Sequence, residues 1–303
     1  MNRGIFKTIV YYDCLDYPLT SEELAIFSFK DVGEVKAENL VETYKGFHFL
    51  KGRGALVKVR KERNRVAEKK WNKMMKAVRW LKLVPYTRLI FASGSLALRN
   101  TTKKSDLDLL IVVRSGRIWT ARFLAVVWLG LLGLRRKRGQ KIAPDKVCMN
   151  HFITNKSLHI PRKSIYTAQL YARLVPVLGD KELLDEFCEV NKWVGDYIFG
   201  WPECLKGSSR DKRDDMIIYH HGLLEMVLDT KIGDWLESIL RKYQLRRINS
   251  YPLTSKPGGR VKADDESLEF HPDSPELKVI ERYNKTMIRL SFEDLTEKSS
   301  FDN

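Results

Sequence analysis

The sequence has few cysteines and no apolar run long enough to cross a membrane. Only 4 of its 303 residues are cysteine, and no two of them form a Cys-x-x-Cys pair. This argues against a disulfide scaffold or structural zinc site and predicts a cytoplasmic protein with reduced thiols. The most apolar stretch, Phe123–Leu134, has 12 residues, whereas a bilayer needs about 20. We therefore expect no transmembrane segment and interpret this stretch as a helix buried on all sides.

Acidic residues are scarce relative to basic ones. The chain carries 54 Lys and Arg against 38 Asp and Glu, a net charge of +16, and 44% of its residues are hydrophobic. This apolar fraction excludes disorder as the dominant state and suffices for cores in about two domains. The segment from Lys51 to Lys82 holds 13 basic residues and only Glu62 and Glu68 as acids, so most of the excess charge is local.

Composition and pattern divide the chain into four segments. We predict a winged-helix-like domain, a basic connecting helix, a domain that carries the motif described below, and a mainly helical C-terminal region with a polar tail. Their bounds are 1–60, 61–83, 84–200 and 201–303. The expected fold class is α+β.

The first segment predicts three helices followed by a β-hairpin. Thr20 and Glu23 have the spacing of a capping box, which predicts the start of the second helix, and a third helix is predicted over 34–44. A strand at Phe47–Leu50, a turn, and a second strand over 55–60 predict the hairpin. Helices and a hairpin in this order are typical of a winged helix, which often binds DNA through its third helix.

Charge argues against DNA binding through that helix. Glu34, Glu38 and Glu42 would form an acidic stripe at i, i+4 and i+8, and such a stripe repels a phosphate backbone. We therefore favour a structural role or a protein partner for the winged helix. Contact with RNA is the alternative, and Lys51 and Arg53 at the predicted turn would then reach its backbone.

The basic segment predicts an amphipathic helix with a cationic ridge. Its apolar residues follow helical spacing, whereas Arg65, Lys69, Lys73 and Lys76 line another face. Two interpretations stay open at this point. The ridge is either the solvated face of a connecting helix or a surface that binds RNA or another polyanion.

The sharpest motif lies in the third segment. An apolar strand over 88–92 leads to Gly94 and Ser95 at the start of a helix, and Asp106 and Asp108 stand at the start of a second apolar strand. Alternate residues of a strand point to one face, so the two carboxylates are expected to bind a divalent cation together, Mg²⁺ or Mn²⁺. Gly94 allows close backbone approach, and Ser95 offers its hydroxyl and N–H to a phosphate.

Gly94-Ser95 followed eleven positions later by Asp106-Leu107-Asp108 resembles the nucleotidyltransferases of the polymerase beta superfamily. The resemblance covers roughly 89–153, about a fifth of the chain. It implies a mixed sheet with flanking helices, a triphosphate held at the Gly-Ser turn, metal bound by the paired aspartates, and a third acidic residue on a later strand. The preceding winged helix is similar to an arrangement in some bacterial members.

Two features of the sequence depart from the family pattern. Many members have Arg and then Gly shortly after the Gly-Ser unit, where this chain has Leu98 and Arg99. The third acidic residue is also not evident. On the strand expected over 146–153, Asn150 is the best candidate, and Asp145 would serve only if that strand began earlier.

Asn150 is expected to share one face of its strand with Cys148 and Phe152. An amide oxygen can bind a metal, but it brings no charge and cannot act as a base toward the attacking hydroxyl. Catalytic competence is therefore a separate question from the fold.

The resemblance implies an enzyme that transfers a nucleoside monophosphate from an NTP, with ATP as one candidate, to an unidentified acceptor and releases pyrophosphate. Asp106 and Asp108 would be the catalytic metal ligands, joined by Asn150, and Gly94 and Ser95 would bind the nucleotide. Because the third carboxylate is not evident, the alternative is a catalytically weakened, nucleotide-binding regulatory or scaffolding protein that acts through its winged helix and basic helix.

Overall fold

The computed structural model describes residues 1–137, 139–140, 142–206, 216–218, 223–252, 259–272 and 274–301. The N-terminal part contains helix α1 (Arg3–Asp13), strand β1 (Leu19–Thr20), helix α2 (Ser21–Phe27), a 3₁₀ turn (Glu38–Leu40), and strands β2 (Val41–Tyr44) and β3 (Phe47–Leu50). The three strands form an antiparallel sheet in the order β1-β3-β2. The predicted capping box is confirmed: the Thr20 hydroxyl accepts a hydrogen bond from the Glu23 N–H, and the Glu23 carboxylate accepts one from the Thr20 N–H.

The predicted third helix over 34–44 is wrong, and so is the predicted hairpin turn. Strand β2 occupies 41–44, and the hairpin turns at Lys45 and Gly46, whose φ angles of 51° and 77° suit a two-residue turn that follows the strand twist. The β-branched and aromatic residues of β2 outweigh the helical spacing of the glutamates. Because no helix forms there, the acidic stripe does not form, and the objection to nucleic acid that depended on it no longer holds.

Helix α3 (Leu56–Leu81) contains the predicted basic helix but begins five residues before its predicted start. The strand predicted over 55–60 is therefore wrong, and these residues open the helix. The apolar side of α3 is buried through Ala67, Met74 and Val78, as its helical spacing indicates.

A six-stranded mixed sheet occupies the centre of the molecule. Its strands are β4 (Thr87–Ala92), β5 (Leu107–Val113), β6 (Val147–Thr154), β7 (Val175–Leu178), β8 (Arg260–Ala263) and β9 (Ser267–His271). Their order is β7-β4-β5-β6-β9-β8, with β5 and β6 parallel and all other neighbours antiparallel. The α+β class and the mixed sheet are confirmed. The last two strands come from the segment that was predicted to be mainly helical.

The remaining helices flank this sheet. They are α4 (Gly94–Ala97), α5 (Ile118–Leu131), α6 (Ile165–Ala172), α7 (Lys181–Val190), α8 (Glu203–Lys206), α9 (Leu223–Leu228), α10 (Lys231–Asn249) and α11 (Glu276–Arg289), with 3₁₀ turns at Lys192–Asp196 and Glu293–Leu295.

The two faces of the sheet belong to two hydrophobic cores. Leu110 and Val112 of β5 join the core that contains residues of α1, α6, α7 and α11, whereas Leu109 and Ile111 join the core that contains residues of α3, α5 and α10. This division follows the alternation of side chains along a strand. Because α1 shares the first core with the sheet, the N-terminal segment does not have a core of its own.

Helix α5 covers most of the apolar stretch discussed above. Its first four residues, Ile118 to Ala121, are buried, but Val127, Trp128 and Leu131 are exposed, and Leu131 is 77% exposed. Of the apolar stretch itself only Ala125 and Leu129 are buried, so the prediction that it is buried on all sides is wrong. Within the described ranges, no helix has both the length and the apolar character needed to span a bilayer.

Candidate functional site

The sheet topology brings the Gly-Ser turn and the Asp-x-Asp pair together. Strands β4 and β5 are antiparallel with Ala92 opposite Leu109, so the end of β4 lies beside the start of β5. The backbone N–H of Ser93 donates to the Asp108 carbonyl at 3.0 Å. The turn that begins at Gly94 is thereby held against the two aspartates.

Gly94 meets Asp108 more closely than any other residue type could. Its φ is +63°, and a Cβ atom built on it would lie 2.5 Å from Oδ2 of Asp108. The positive φ is unfavourable for residues with a side chain, and the contact distance is shorter than a Cβ and an oxygen tolerate. Backbone conformation therefore favours glycine at this position, and the contact with Asp108 leaves no space for a Cβ.

Replacing Gly94 with alanine is expected to destabilise the protein more than replacing Gly46 does. Gly46 has a similar φ, +77°, but nothing lies within 4 Å of its added Cβ, so the Gly46→Ala variant carries the backbone penalty alone. The extra loss in Gly94→Ala should be about 1–3 kcal/mol, the usual cost of overpacking. Urea unfolding of the two variants measures it. Equal losses would show that the turn moves away from Asp108 at no cost.

Arg99 occupies the position where the resemblance leads us to expect glycine. Its φ is +57°, in the left-handed region that glycine enters most easily. The backbone at Arg99 therefore has a conformation that is more typical of glycine. The Arg99 guanidinium lies 3.4 Å from the Glu68 carboxylate of α3.

Two carboxylates and a thiol form the centre of the site. One ligand atom each from Asp106, Asp108 and Cys148 lies within 4.8 Å of the other two. Cys148 belongs to β6, where it stands directly opposite Asp108 in the parallel pair. Partners in a parallel register point to the same face, which explains why the thiol joins the carboxylates.

Arg136 is the cation nearest to this cluster in the described part of the chain. Its guanidinium donates to Asp106 at 2.5 Å and to the Cys148 sulfur at 3.7 Å, and it also donates to the backbone carbonyl of Gln140. The Asp106 side chain is only 20% exposed, so this ion pair is partly shielded from water.

Asp108 has no such partner. Among the described residues, none donates a hydrogen bond to its carboxylate, and no cation pairs with it. Burial and the adjacent Asp106 carboxylate raise the pKa of Asp108 to about 7, and Arg136 lowers it by a smaller amount. Burial raises the pKa of the Cys148 thiol to about 12, with a further contribution from the two aspartates. The site therefore has a deficit of positive charge, which a bound cation would relieve.

Asn150 does not lie where strict alternation of side chains along β6 would place it. The register between β5 and β6 shifts between Asp108 and Leu110, so β6 is irregular at this point. The expectation that Cys148, Asn150 and Phe152 share one face is wrong, because Phe152 packs in the core that also contains Met149. The Asn150 amide lies 3.2 Å from Nδ1 of His271 in β9. A metal-ligand role for Asn150 stays a prediction.

Asp145 is engaged elsewhere. Strand β6 begins at Val147, and the Asp145 carboxylate accepts hydrogen bonds from Lys70 at 2.7 Å and Lys73 at 2.5 Å. Lys70 is buried. This clamp fixes the loop before β6 to α3 and gives Asp145 a structural partner.

The predicted cationic ridge lies on the exposed side of α3. All four of its residues are exposed; they are Arg65, Lys69, Lys73 and Lys76. Lys73 is the member that pairs with Asp145. The ridge therefore exists as a surface, and its binding to RNA stays a prediction.

Sequence reasoning found the two aspartates, Gly94 and Ser95, but it missed Arg136 and the role of Cys148. The register of two strands about 40 residues apart brings Cys148 to the site, and no local sequence pattern indicates this. Arg136 belongs to the basic run after α5, and this run was the only sequence feature that pointed to it.

Comparison with protein-family models, with curated proteins and with solved structures finds no match to this chain.

Proposed function

We propose that this protein is a metal-dependent nucleotidyltransferase that transfers a nucleoside monophosphate from an NTP to an acceptor and releases pyrophosphate. One observation carries the proposal: the carboxylates of Asp106 and Asp108 lie together beside a Gly-Ser turn that approaches Asp108 so closely that a Cβ on Gly94 would clash with its carboxylate. The β4-α4-β5 arrangement and the mixed sheet support a polymerase-beta-like core. The position of β1 beside the β2–β3 hairpin supports a winged-helix-like N-terminal part whose third helix is reduced to a 3₁₀ turn.

The residues of the site suit a hard divalent cation. Asp106 and Asp108 supply two carboxylates, and Mg²⁺ is commonly held by one or two carboxylates together with substrate phosphates. The Cys148 sulfur is a soft donor that Mg²⁺ and Mn²⁺ do not favour, so we assign the metal to the two aspartates and not to the thiol. A cation bound there supplies positive charge to the triphosphate and lowers the pKa of an acceptor hydroxyl.

The other residues of the site have roles that follow from their contacts. Gly94 lets the turn approach Asp108, so that a phosphate bound at the turn would lie next to the carboxylates. The Ser95 hydroxyl, which has no hydrogen-bond partner among the described residues, is available to a phosphate. Arg136 neutralises Asp106 and positions its carboxylate.

Incubation with each of the four α-³²P-labelled NTPs, Mg²⁺ or Mn²⁺ and a cell extract tests the proposal. We expect a labelled product with one NTP and label in no product when a chelator is added. An NTP labelled on its γ-phosphate should leave its label in pyrophosphate. Transfer of the γ-label to a product would indicate a kinase instead.

A second candidate function is a nucleotide-binding regulator without turnover. The Arg136–Asp106 ion pair at 2.5 Å favours it, because the arginine takes a carboxylate that the enzyme would use for metal. This candidate predicts that ATP with Mg²⁺ binds saturably in calorimetry and that no labelled product forms.

We further propose the α3 ridge as an RNA-binding surface and the N-terminal sheet as a site for a protein partner of such a regulator.

A third carboxylate should strengthen metal binding at position 148 rather than at position 150. Cys148→Asp places the new carboxylate opposite Asp108 in the sheet register, so we expect Mn²⁺ to bind about tenfold tighter or more, since affinity rises with ligand charge. The matched variant is Asn150→Asp, whose side chain lies against His271. We expect it to change Mn²⁺ affinity less than about threefold.

Isothermal titration with Mn²⁺ measures both variants against the parent protein. If Asn150→Asp alone binds Mn²⁺ more tightly, position 150 supplies the third ligand, as the sequence predicted. Because each variant adds one negative charge, a general electrostatic effect would raise both affinities equally.

A further inference from the structure

A groove of about 880 Å³ runs between helix α11 and the loop that follows β3. We call it the basic groove. It is lined by six cationic side chains and two carboxylates, a net charge of +4; the cations are Lys51, Arg53, Lys278, Arg282, Lys285 and Arg289. Residues from the N-terminal and C-terminal parts of the chain thus build one positively charged concave surface.

Four of the six cations form a stripe on one face of α11. Lys278, Arg282, Lys285 and Arg289 follow one another at intervals of four, three and four residues, and all are exposed. This spacing keeps side chains on one side of a helix. The opposite side of α11 is buried through Ile280, Tyr283 and Met287, so the hydrophobic core determines where the stripe points.

The other two cations come from the loop after β3. Leu50, the last residue of β3, is buried, and the Lys51 N–H donates to the Leu40 carbonyl at 2.9 Å. The Arg53 guanidinium is held by Asp13 at 3.0 Å and by Asp16 at 2.5 Å. The loop is thus anchored on both sides, and its cations face α11.

Acidic neighbours neutralise only part of this charge. Arg53 and Arg282 both contact Asp16, and Lys285 pairs with Glu281 at 2.6 Å. Lys51, Lys278 and Arg289 form no ion pair within the described part of the chain. Several uncompensated cations in a concave surface focus a positive potential there and attract anions.

We propose that the basic groove binds the phosphate backbone of a nucleic-acid strand. The stripe from Lys278 to Arg289 extends over about 16 Å at 1.5 Å per residue, the rise of about five nucleotides along one strand of a duplex. A single phosphate or nucleotide would use only a fraction of that length. The partly exposed side chains of Leu40 and Leu290 also line the groove and offer contact to sugars between the phosphates. The inference is independent of nucleotidyl transfer, because it involves none of the residues of the Asp106–Asp108 site.

Salt-dependent binding of a fluorescent 12-nucleotide strand tests the proposal on the full chain. Anisotropy is measured at several salt concentrations with RNA and with DNA of the same sequence. The groove variant is Lys278→Gln together with Arg289→Gln, two exposed cations without ion pairs. The matched control is Lys181→Gln together with Arg246→Gln, which removes the same charge from exposed positions outside the groove.

We expect the groove variant to bind at least tenfold more weakly at low salt. Its plot of log affinity against log salt should lose about 1.4 units of slope, because each phosphate contact with a single strand contributes about 0.7. The control should keep the slope of the parent protein. Circular dichroism melting confirms that both variants are folded, as the exposure of the four side chains predicts. A loss with RNA alone, DNA alone or both supports the proposal and identifies the strand.

Three results would overturn it. The first is an equal slope in the groove variant and the parent protein. The second is that the parent protein binds neither strand nor poly-glutamate. The third is that the parent protein binds poly-glutamate but neither strand, and that the groove variant no longer binds poly-glutamate; this would assign the groove to an acidic polypeptide. None of these results bears on the labelled-NTP assay, so failure of this proposal is distinguishable from failure of the proposed enzyme.

Discussion

Replacing Asp108 with asparagine is expected to abolish nucleotidyl transfer and at the same time to raise the stability of the metal-free protein. Loss of a residue that merely supports a metal ligand commonly costs about 10- to 100-fold in activity, so loss of a ligand itself should cost at least about 100-fold. The gain in stability follows from the pKa of Asp108, which burial and Asp106 raise to about 7 from an ordinary value of 3.8.

The sign of the pH dependence follows from proton uptake. Between about pH 4 and pH 7 the unfolded chain releases the Asp108 proton while the folded protein keeps it, so folding becomes less favourable as the pH rises. Asparagine carries no charge at any pH. Asp108→Asn should therefore gain about 2 kcal/mol in urea unfolding at pH 8 with a chelator present, and gain little below about pH 4.

Asp106→Asn is the matched variant. It should also abolish transfer, but its stability should change by less than about 1 kcal/mol, because relief of the repulsion with Asp108 is offset by loss of the partly exposed Arg136 ion pair. Equal stabilisation in both variants would show that repulsion between the carboxylates dominates over the burial of Asp108. Preserved turnover in both variants would remove the proposed enzyme activity.

Replacing Glu23 with glutamine is expected to cost about 3–5 kcal/mol of unfolding free energy at pH 7, the usual effect of breaking a buried ion pair. The Glu23 carboxylate lies 3.0 Å from Arg60 and 3.2 Å from Arg173, both of which are buried. It also accepts a hydrogen bond from Tyr17 at 2.7 Å. Glutamine retains the capping geometry at the start of α2 but leaves two guanidinium groups without a balancing charge.

The same group predicts an acid transition. Burial alone would raise the pKa of Glu23, but the charges of Arg173 and Arg60 outweigh it and lower the pKa to about 2, from 4.5. The stabilisation is complete above about pH 4.5 and is lost as the pH falls toward 2, because the unfolded chain takes up the proton first.

Urea unfolding at pH 7 and pH 3 measures this effect, with Glu22→Gln as the control. Glu22 is the exposed neighbour on the same helix, and its replacement should change the stability by less than about 0.5 kcal/mol. A Glu23→Gln variant as stable as this control at pH 7 would contradict the argument. Equal losses between pH 7 and pH 3 in the parent protein and in Glu23→Gln would contradict the assignment of the acid transition to Glu23.

The Glu23 cluster also shows why segments predicted separately form one body. Glu23 belongs to α2, Arg60 to α3 and Arg173 to the end of α6, and the sequence pattern assigned Glu23 and Arg60 to the first segment but Arg173 to the third. Nothing in the local sequence of any of them indicates the other two. Only packing of the three helices brings their charges within hydrogen-bond distance.

Where local preferences compete, the sequence alone misleads. Over 34–44 the glutamates have helical spacing and the β-branched residues favour a strand, and pairing with β3 decides for the strand. At 55–60 alternating valines suggest a strand, but the residues continue into α3. In both places, contacts with residues outside the local sequence segment determine which conformation forms.

The sequence by itself determined the central part of the candidate site. Gly94, Ser95, Asp106 and Asp108 lie within 15 residues of one another, and a strand, a turn and a strand are enough to bring them together. Tertiary structure alone decided what surrounds them: Cys148 through the β5–β6 register, Arg136 through the loop after α5, and the basic groove through residues more than 220 positions apart. The physical reason is that hydrogen-bonded turns depend on adjacent residues, whereas register and helix packing depend on contacts across the whole chain.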